Sequence, residues 1–213
     1  MTSQPHRHPV FARVYARITP GMERELAPLR RELLAGLTGR VLEIGAGNGM
    51  NFGHYPGTVD EVVALEPEPY LRARAQAAAQ RAAVPVVVLD GVAERLPPDL
   101  GGFDAAVACL VLCSVRDQNV ALAELRRVLD PSGELRFLEH VLARNPRKAQ
   151  LQRALDRSRL WPLVAGGCHC SRDTAGAIGS TGFAIERVRE LELGPAWLHT
   201  NPHVLGVATP RHD

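Results

Sequence analysis

Val41-Leu42-Glu43-Ile44-Gly45-Ala46-Gly47-Asn48-Gly49, followed further on by Leu65-Glu66-Pro67, decides the fold of this chain. The apolar run Val41 to Ile44 reads as a buried strand. It ends in a loop with glycine at 45, 47 and 49, where the backbone turns sharply and approaches a ligand closely. A second apolar run, Val62 to Leu65, ends in a carboxylate. A nucleotide-binding α/β sheet needs this order. The glycine loop lies under the charged middle of the ligand, and the acid grips two ribose hydroxyls.

Glycine spacing narrows the ligand. A dinucleotide site wants glycines at the first, third and sixth loop positions, and the sixth here is Met50. Gly45-Ala46-Gly47-Asn48-Gly49 resembles instead the loop of class I methyltransferases that use S-adenosylmethionine (SAM). The other reading is a turn of steric origin in an α/β domain bound to something else, because turns collect glycine.

A chain of 213 residues suits one α/β domain with a sheet covered on both faces. The formal net charge of +2 comes from interspersed acids and bases, so there is no electrostatic footprint for nucleic acid. Lys148 is the only lysine, and with the abundant alanine and arginine this suggests a GC-rich bacterial source. The longest apolar run, Ala105 to Val115, is too short to span a bilayer. Gln4-Pro5-His6-Arg7-His8-Pro9 offers no apolar signal core, so a soluble, cytoplasmic protein is expected, with no membrane anchor and as a monomer. Cys109, Cys113, Cys168 and Cys170 are then expected reduced. Cys168-His169-Cys170 tempts a zinc reading, but adjacent ligands crowd one another, and no metal is expected.

Apolar strands alternate with helix-period segments, which implies a doubly wound, Rossmann-like α/β fold: seven mostly parallel strands with helices on both faces. Strands are expected at about 40–44, 61–65, 85–89, 103–108, 134–139, 184–190 and 203–209. Met22, Leu26, Leu29, Leu33 and Leu34 place a helix before the first strand. A helix is expected over 69–83, and another, capped by Asp117, carries Ala121, Leu122, Leu125, Val128 and Leu129 on one face. Asp130-Pro131-Ser132-Gly133 stops it. The whole of 1–213 reads as a single domain. Residues 1–36 form a helical N-terminal part in which Phe11 and Tyr15 serve a lid or a plainly packed helix. Residues 141–182, with a helix at 147–157, form an insertion leaving a strand's carboxyl end, a natural substrate cover.

Leu42 to Gly49, Asn51-Phe52, Tyr55-Pro56 and Glu66-Pro67 are similar to the thiol methyltransferases of the methyltransferase-like seven group. So are Leu110-Val111-Leu112-Cys113-Ser114-Val115, Arg127-Val128-Leu129, Leu138-Glu139-His140-Val141, Gly167-Cys168, and Pro202-His203 with Gly206. The resemblance runs from about 37 to 209 and implies S-methylation of small-molecule thiols or dithiols with SAM as cofactor, in detoxification or natural-product tailoring. It assigns the cofactor to Glu43, Gly45, Ala46, Gly47, Asn48, Gly49, Asn51, Glu66, Pro67, Gly91, Val92, Ala93, Cys109 and Leu110, with Asp90 or the segment after it bordering adenine. Many class I enzymes carry an acid just after the glycine at 91, where this chain has Val92 and Ala93. Animal members carry a hydrophobic N-terminal anchor that has no counterpart here. Bacterial relatives often bear only generic or phospholipid methyltransferase labels, so the resemblance speaks to reaction type before substrate.

Methyl transfer from a sulfonium to a thiolate is an in-line displacement in which charges cancel. The protein has to align the reactants, exclude water and supply the thiolate. A thiol of cysteine type has a pKa of about 8.5, so a weakly placed base suffices. His140, directly after the fifth strand, is the candidate catalytic base. The alternative makes it structural, bonded to Glu139 or a loop. Phe11, Tyr15, Cys113, Trp161 and His169 are the candidate substrate contacts. An O-, N- or lipid-head-group methyltransferase, or a SAM-binding protein without turnover, are the alternative functions.

Overall fold

The computed structural model describes residues 8–195 and 197–211; residues 1–7 of the expected N-terminal part lie outside them. Strand β1 (Gly39–Ile44) is third in a seven-stranded sheet. The first half adds β2 (Val59–Leu65) and β3 (Val86–Leu89) on one side. The second half adds β4 (Phe103–Cys109), β5 (Leu129–His140), β7 (Pro202–Pro210) and β6 (Phe183–Glu192) on the other. The resulting order is β3-β2-β1-β4-β5-β7-β6, with β7 antiparallel to both of its neighbours and the remaining pairs parallel. Strand order reverses between β1 and β4, and a crevice opens there beyond the strands' carboxyl ends.

The period-2 alternation of β1 divides the core. Leu42 and Ile44 point to one layer with Val63, Leu65, Ala106, Ala108, Leu135 and Phe137. Helices α3 (Gln118–Val128) and α6 (Thr174–Ser180) cover that face through Leu122, Leu125 and Ile178. Val41 points to the opposite layer with Val62, Ala64, Ala105 and Val107, beneath α1 (Pro9–Leu34) and α2 (Pro69–Ala79). Side chains on successive strand residues face opposite sides, so Glu43 joins Val41 on the α1 face. Arg136 shares that face and donates to the carbonyls of Leu33 (3.3 Å) and Ala35 (3.2 Å), closing the C-terminus of α1.

The element boundaries follow from local chemistry. Asp117 caps α3 by accepting from the amides of Asn119 and Val120. α2 stops at Ala79 rather than running to 83; Pro85 disfavours helical backbone at Val84 and turns the chain into β3. The helix foreseen from Met22 begins at Pro9, with Pro20 and Pro28 inside it. The outer strand β6 leaves charged residues such as Arg187, Arg189 and Glu190 exposed along the edge, which discourages further strand pairing.

The stretch 141–182 contains more order than expected. It holds α4 (Pro146–Arg157), capped by Asn145, then α5 (Leu160–Val164) and α6. Only its earlier part is free to cover the crevice. α6 packs into the core through the fully buried Ile178 and returns the chain to β6, away from the crevice.

Gly49 ties the glycine loop to this packing. Its φ of +78° suits glycine, and a Cβ there would lie 2.8 Å from both the Ala78 methyl and the Phe52 ring. Gly49→Ala is expected to cost about 2–4 kcal/mol from strain and overpacking together. Urea denaturation reads this directly, and an unchanged midpoint would show that the loop has room to relax.

Candidate active site

Glu66, at the carboxyl end of β2, organises one half of the crevice. Its Oε2 accepts the Gly47 amide at 2.7 Å and its Oε1 accepts the Glu68 amide at 2.9 Å. Each oxygen keeps further acceptor capacity, and Glu66 lines a cavity of about 260 Å³ together with Gly45, Gly47 and Pro67. A vicinal diol fits that remaining acceptor pair. Burial pushes the Glu66 carboxyl up to about 7, opposed by the two amides. Gly45 faces the β4 side, and a Cβ on it would overlap the Val111 side chain.

The acid that the sequence lacks just after Gly91 stands three residues on. Gly91, Val92, Ala93 and Glu94 all line the cavity, and Glu94 accepts the Arg116 amide at 2.6 Å. Asp90 points away, with its side chain largely exposed and 3.1 Å from Arg72. The segment after Asp90, rather than Asp90 itself, borders the cavity.

The other half is the loop after β4. Leu110 has φ of +58°, a conformation uncommon for a branched apolar residue. Two ionisable side chains hold the loop. Glu139, fully buried on β5, accepts the amides of Val111 (2.9 Å), Leu112 (2.9 Å) and Cys113 (3.4 Å). Arg172, from the insertion, donates to the carbonyls of Leu112 and Val115, each at 2.5 Å. Burial, with the Cys113 sulfur nearby, raises Glu139 to about 8 against the pull of the amides. The clamp presents Leu110, Val111, Ser114 and Val115 to the cavity.

α1 and the insertion close the remaining sides. Phe11 and Tyr15, stacked with centroids 5.5 Å apart, and Ala12 line the cavity from α1. Gly166, Gly167 and His169 line it from the insertion. Burial raises the Tyr15 hydroxyl to about 12, so it stays neutral there. Desolvation, with the Arg172 charge beside it, lowers His169 and favours its neutral imidazole.

Several expected site residues stand behind these walls. Glu43, facing α1 by strand parity, accepts from Asn51 (2.9 Å) and from the Tyr55 hydroxyl (2.6 Å). Asn51 in turn accepts from the buried Arg30 at 2.6 Å, whose guanidinium also lies 3.3 Å from the Cys109 sulfur. Glu43, Asn51 and Cys109 therefore brace the floor instead of facing the cavity. Ala46 and Gly49 shape the glycine loop from within, and Asn48 is turned to Thr19, 2.9 Å away. Cys113, His140 and Trp161 also lie outside the cavity wall. His140 Nε2 is 3.2 Å from the Cys168 sulfur, which also accepts from the Trp161 indole at 3.4 Å. The contact with Cys168, more than the nearby His140, holds Cys113 well below the ordinary thiol range and raises Cys168. Cys170 turns away to Asp156, at 3.4 Å, so the adjacent Cys168-His169-Cys170 trio does not converge. Asp156 also takes the amides of Cys170 and Ser171 and shapes the insertion.

A glycine loop, an acid at the end of β2 and a clamped β4 loop around one crevice define a class I SAM-dependent methyltransferase, with SAM as its cofactor. Residues 42–137 match the family described as a methyltransferase domain. Human thiol S-methyltransferase TMT1B is 31% identical, the alignment covering 96% of this chain and 88% of the relative. Human thiol S-methyltransferase TMT1A is 30% identical over 93% of this chain and 85% of its own length. A solved structure of a methyltransferase from Bacillus halodurans superposes with a TM-score of 0.72 at 14% identity, covering 89% of this chain and all of the other. The chain belongs to the family of the thiol S-methyltransferases TMT1A and TMT1B.

Glu66→Ala is expected to weaken SAM binding by about 1–3 kcal/mol, the worth of charge-assisted hydrogen bonds. With its carboxyl near 7, Glu66 gains a proton and loses acceptor capacity as pH falls. SAM affinity is then expected to drop by up to about tenfold between about pH 8 and about pH 6, and Glu66→Gln to flatten that dependence. Calorimetry checks both; an unaltered affinity in Glu66→Ala would remove the carboxylate from this role.

Proposed function

We infer that this chain methylates the sulfur of small-molecule thiols, by direct in-line transfer from SAM. The observation that carries this reading is the composition of the cavity on its β4 side. Phe11, Leu110, Val111 and Val115 line it there; Ser114, Arg116 and His169 add polarity, and none of them carries a negative charge. The relatives named as thiol S-methyltransferases support the same substrate class.

The division of labour follows sheet order. Residues after β2 and β3, including Glu66 and Gly91 to Glu94, hold the nucleoside end of SAM. The β4 loop, on the opposite side of β1, borders the sulfonium methyl that SAM supplies. Phe11 and Tyr15 on α1 act as a lid, and the insertion before α6 shapes the substrate side. An apolar surround excludes water and favours a reaction in which opposite charges cancel. A thiol with a pKa of about 8.5 is ionised to a few per cent near neutrality, so a neutral imidazole is a sufficient proton acceptor. Two imidazoles line the cavity, His8 just before α1 and His169 in the insertion, and His169 is the one tied to the β4 loop, through its amide on the Cys113 carbonyl at 2.8 Å. His140 would have to act through the sulfurs of Cys168 or Cys113, so the base role suggested by its position after β5 passes to His169.

The decisive experiment incubates purified protein and SAM with thiols and with alcohols and amines of matched shape, and identifies products by mass spectrometry. S-methyl products are expected to dominate, with rates rising up to about tenfold per pH unit below the substrate thiol's own pKa and levelling above it. His169→Ala is expected to slow thiol turnover by about 10²-fold at neutral pH, a deficit that shrinks for thiols of lower pKa. Faster O- or N-methylation would sink the thiol reading.

A further inference from the structure

Behind the cavity wall, three separated stretches bring two sulfurs and one imidazole nitrogen together. Cys113 comes from the β4 loop, His140 from the end of β5 and Cys168 from the insertion, and all three are buried. Their ligand atoms lie within 4.8 Å of one another, with the Cys168 sulfur 3.2 Å from His140 Nε2. We propose that Cys113, His140 and Cys168 form a three-ligand site for a thiophilic divalent cation of the zinc class, which fastens the insertion to the carboxyl ends of β4 and β5.

The donor set suits that ion. Thiolate and imidazole select zinc among the common divalent ions, whereas magnesium and calcium prefer oxygen. With Zn–S near 2.3 Å and Zn–N near 2.0–2.1 Å, tetrahedral ligands stand roughly 3.5–3.8 Å apart. The cluster is already close to that spacing. Two thiolates neutralise a dication, and their protons leave to solvent on binding. A fourth position remains for water or another small ligand, as in three-ligand zinc sites.

The scaffold holds the donors independently of any ion. Cys113 is fixed through its amide on Glu139, and His140 lies in the β5–β7 ladder opposite His203. The His169 amide donates to the Cys113 carbonyl at 2.8 Å, coupling the insertion to the β4 loop beside both sulfurs. Trp161 offers only a donor, and its indole N–H is directed at the Cys168 sulfur at 3.4 Å. A sulfur accepting such a bond is suited to the thiolate state that a metal requires. The expectation of no metal weighed adjacent ligands in Cys168-His169-Cys170; the convergence occurs instead across the fold.

The test uses the full chain purified under reducing conditions without chelator. Elemental analysis is expected to find about one zinc per chain, and cobalt(II) added to the metal-stripped protein to give thiolate-to-cobalt charge-transfer absorption saturating at one equivalent. Cys113→Ser, Cys168→Ser and His140→Ala are each expected to weaken cobalt binding by at least about 100-fold, beyond what loss of a supporting contact costs. Cys170→Ser is expected to bind as before, and retained SAM binding in each variant reports that the chain is folded. Three results would each overturn the site. One is no zinc in the isolated protein and no cobalt signal at millimolar metal. Another is undiminished binding in a Cys113→Ser/Cys168→Ser double variant. The third is a Cys113–Cys168 disulfide as the resting state, seen as an intact mass lower by two hydrogens.

Discussion

Glu139 is the constraint on which the active-site half of this molecule depends. Three consecutive amides at the end of β4 have left the strand ladder and need acceptors, because they sit away from water. One carboxylate supplies them all, and the strand beside β4 supplies the carboxylate. The Arg172 guanidinium donates to the carbonyls of the same loop and draws the insertion inward. The backward-turning Leu110, the walls formed by Val111 and Ser114, and the approach of Cys113 to Cys168 are consequences of that double clamp. Burying such polar groups is costly in solvation, and the result is a loop whose shape is defined before any ligand arrives.

The doubly wound sheet was legible because its signals are short-range. Val62 to Leu65 and Ala105 to Cys109 are apolar on both faces, as buried parallel strands must be, and Val41 to Ile44 is interrupted only by Glu43. The glycine loop and Glu66 were legible because chain order alone puts a turn and an acid at neighbouring strand ends. Glu43 and Asn51 were assigned to the cofactor through the family resemblance, but the two-residue period of β1 turns Glu43 towards α1. That parity was available in the sequence, since Val41 and Glu43 must share a face. Glu94 was recoverable too, by allowing the loop after Gly91 to carry its acid three residues on.

Other parts depend on tertiary approach and leave no local mark. Arg30 reads as one more arginine on a charged helix, yet packing buries it against Asn51 and Cys109. Arg172 sits in an irregular stretch, and only the fold puts it beneath the β4 loop. α6 is short and rich in glycine and alanine, with a single strong anchor in Ile178, so its periodicity is too weak to separate it from the cover that precedes it. Cys113 and Cys168 are 55 positions apart, and the short-range spacing by which metal ligands are recognised does not apply to them.

The two halves of the crevice differ in chemistry because they differ in support. On the β2–β3 side, Glu66, Glu68 and Glu94 bring charge to the walls, and backbone amides accompany it. That environment suits a ligand region rich in hydroxyl and amine groups. On the β4 side Glu139 and Arg172 are turned to the backbone behind the wall, so the surface they create is mostly apolar. The same peptide groups that would otherwise demand water at the reacting end are satisfied from the rear. A dry surface built on a polar foundation lets the loop be both rigid and unreactive towards a sulfonium, while the soft sulfurs beneath it stay one layer removed from the cavity.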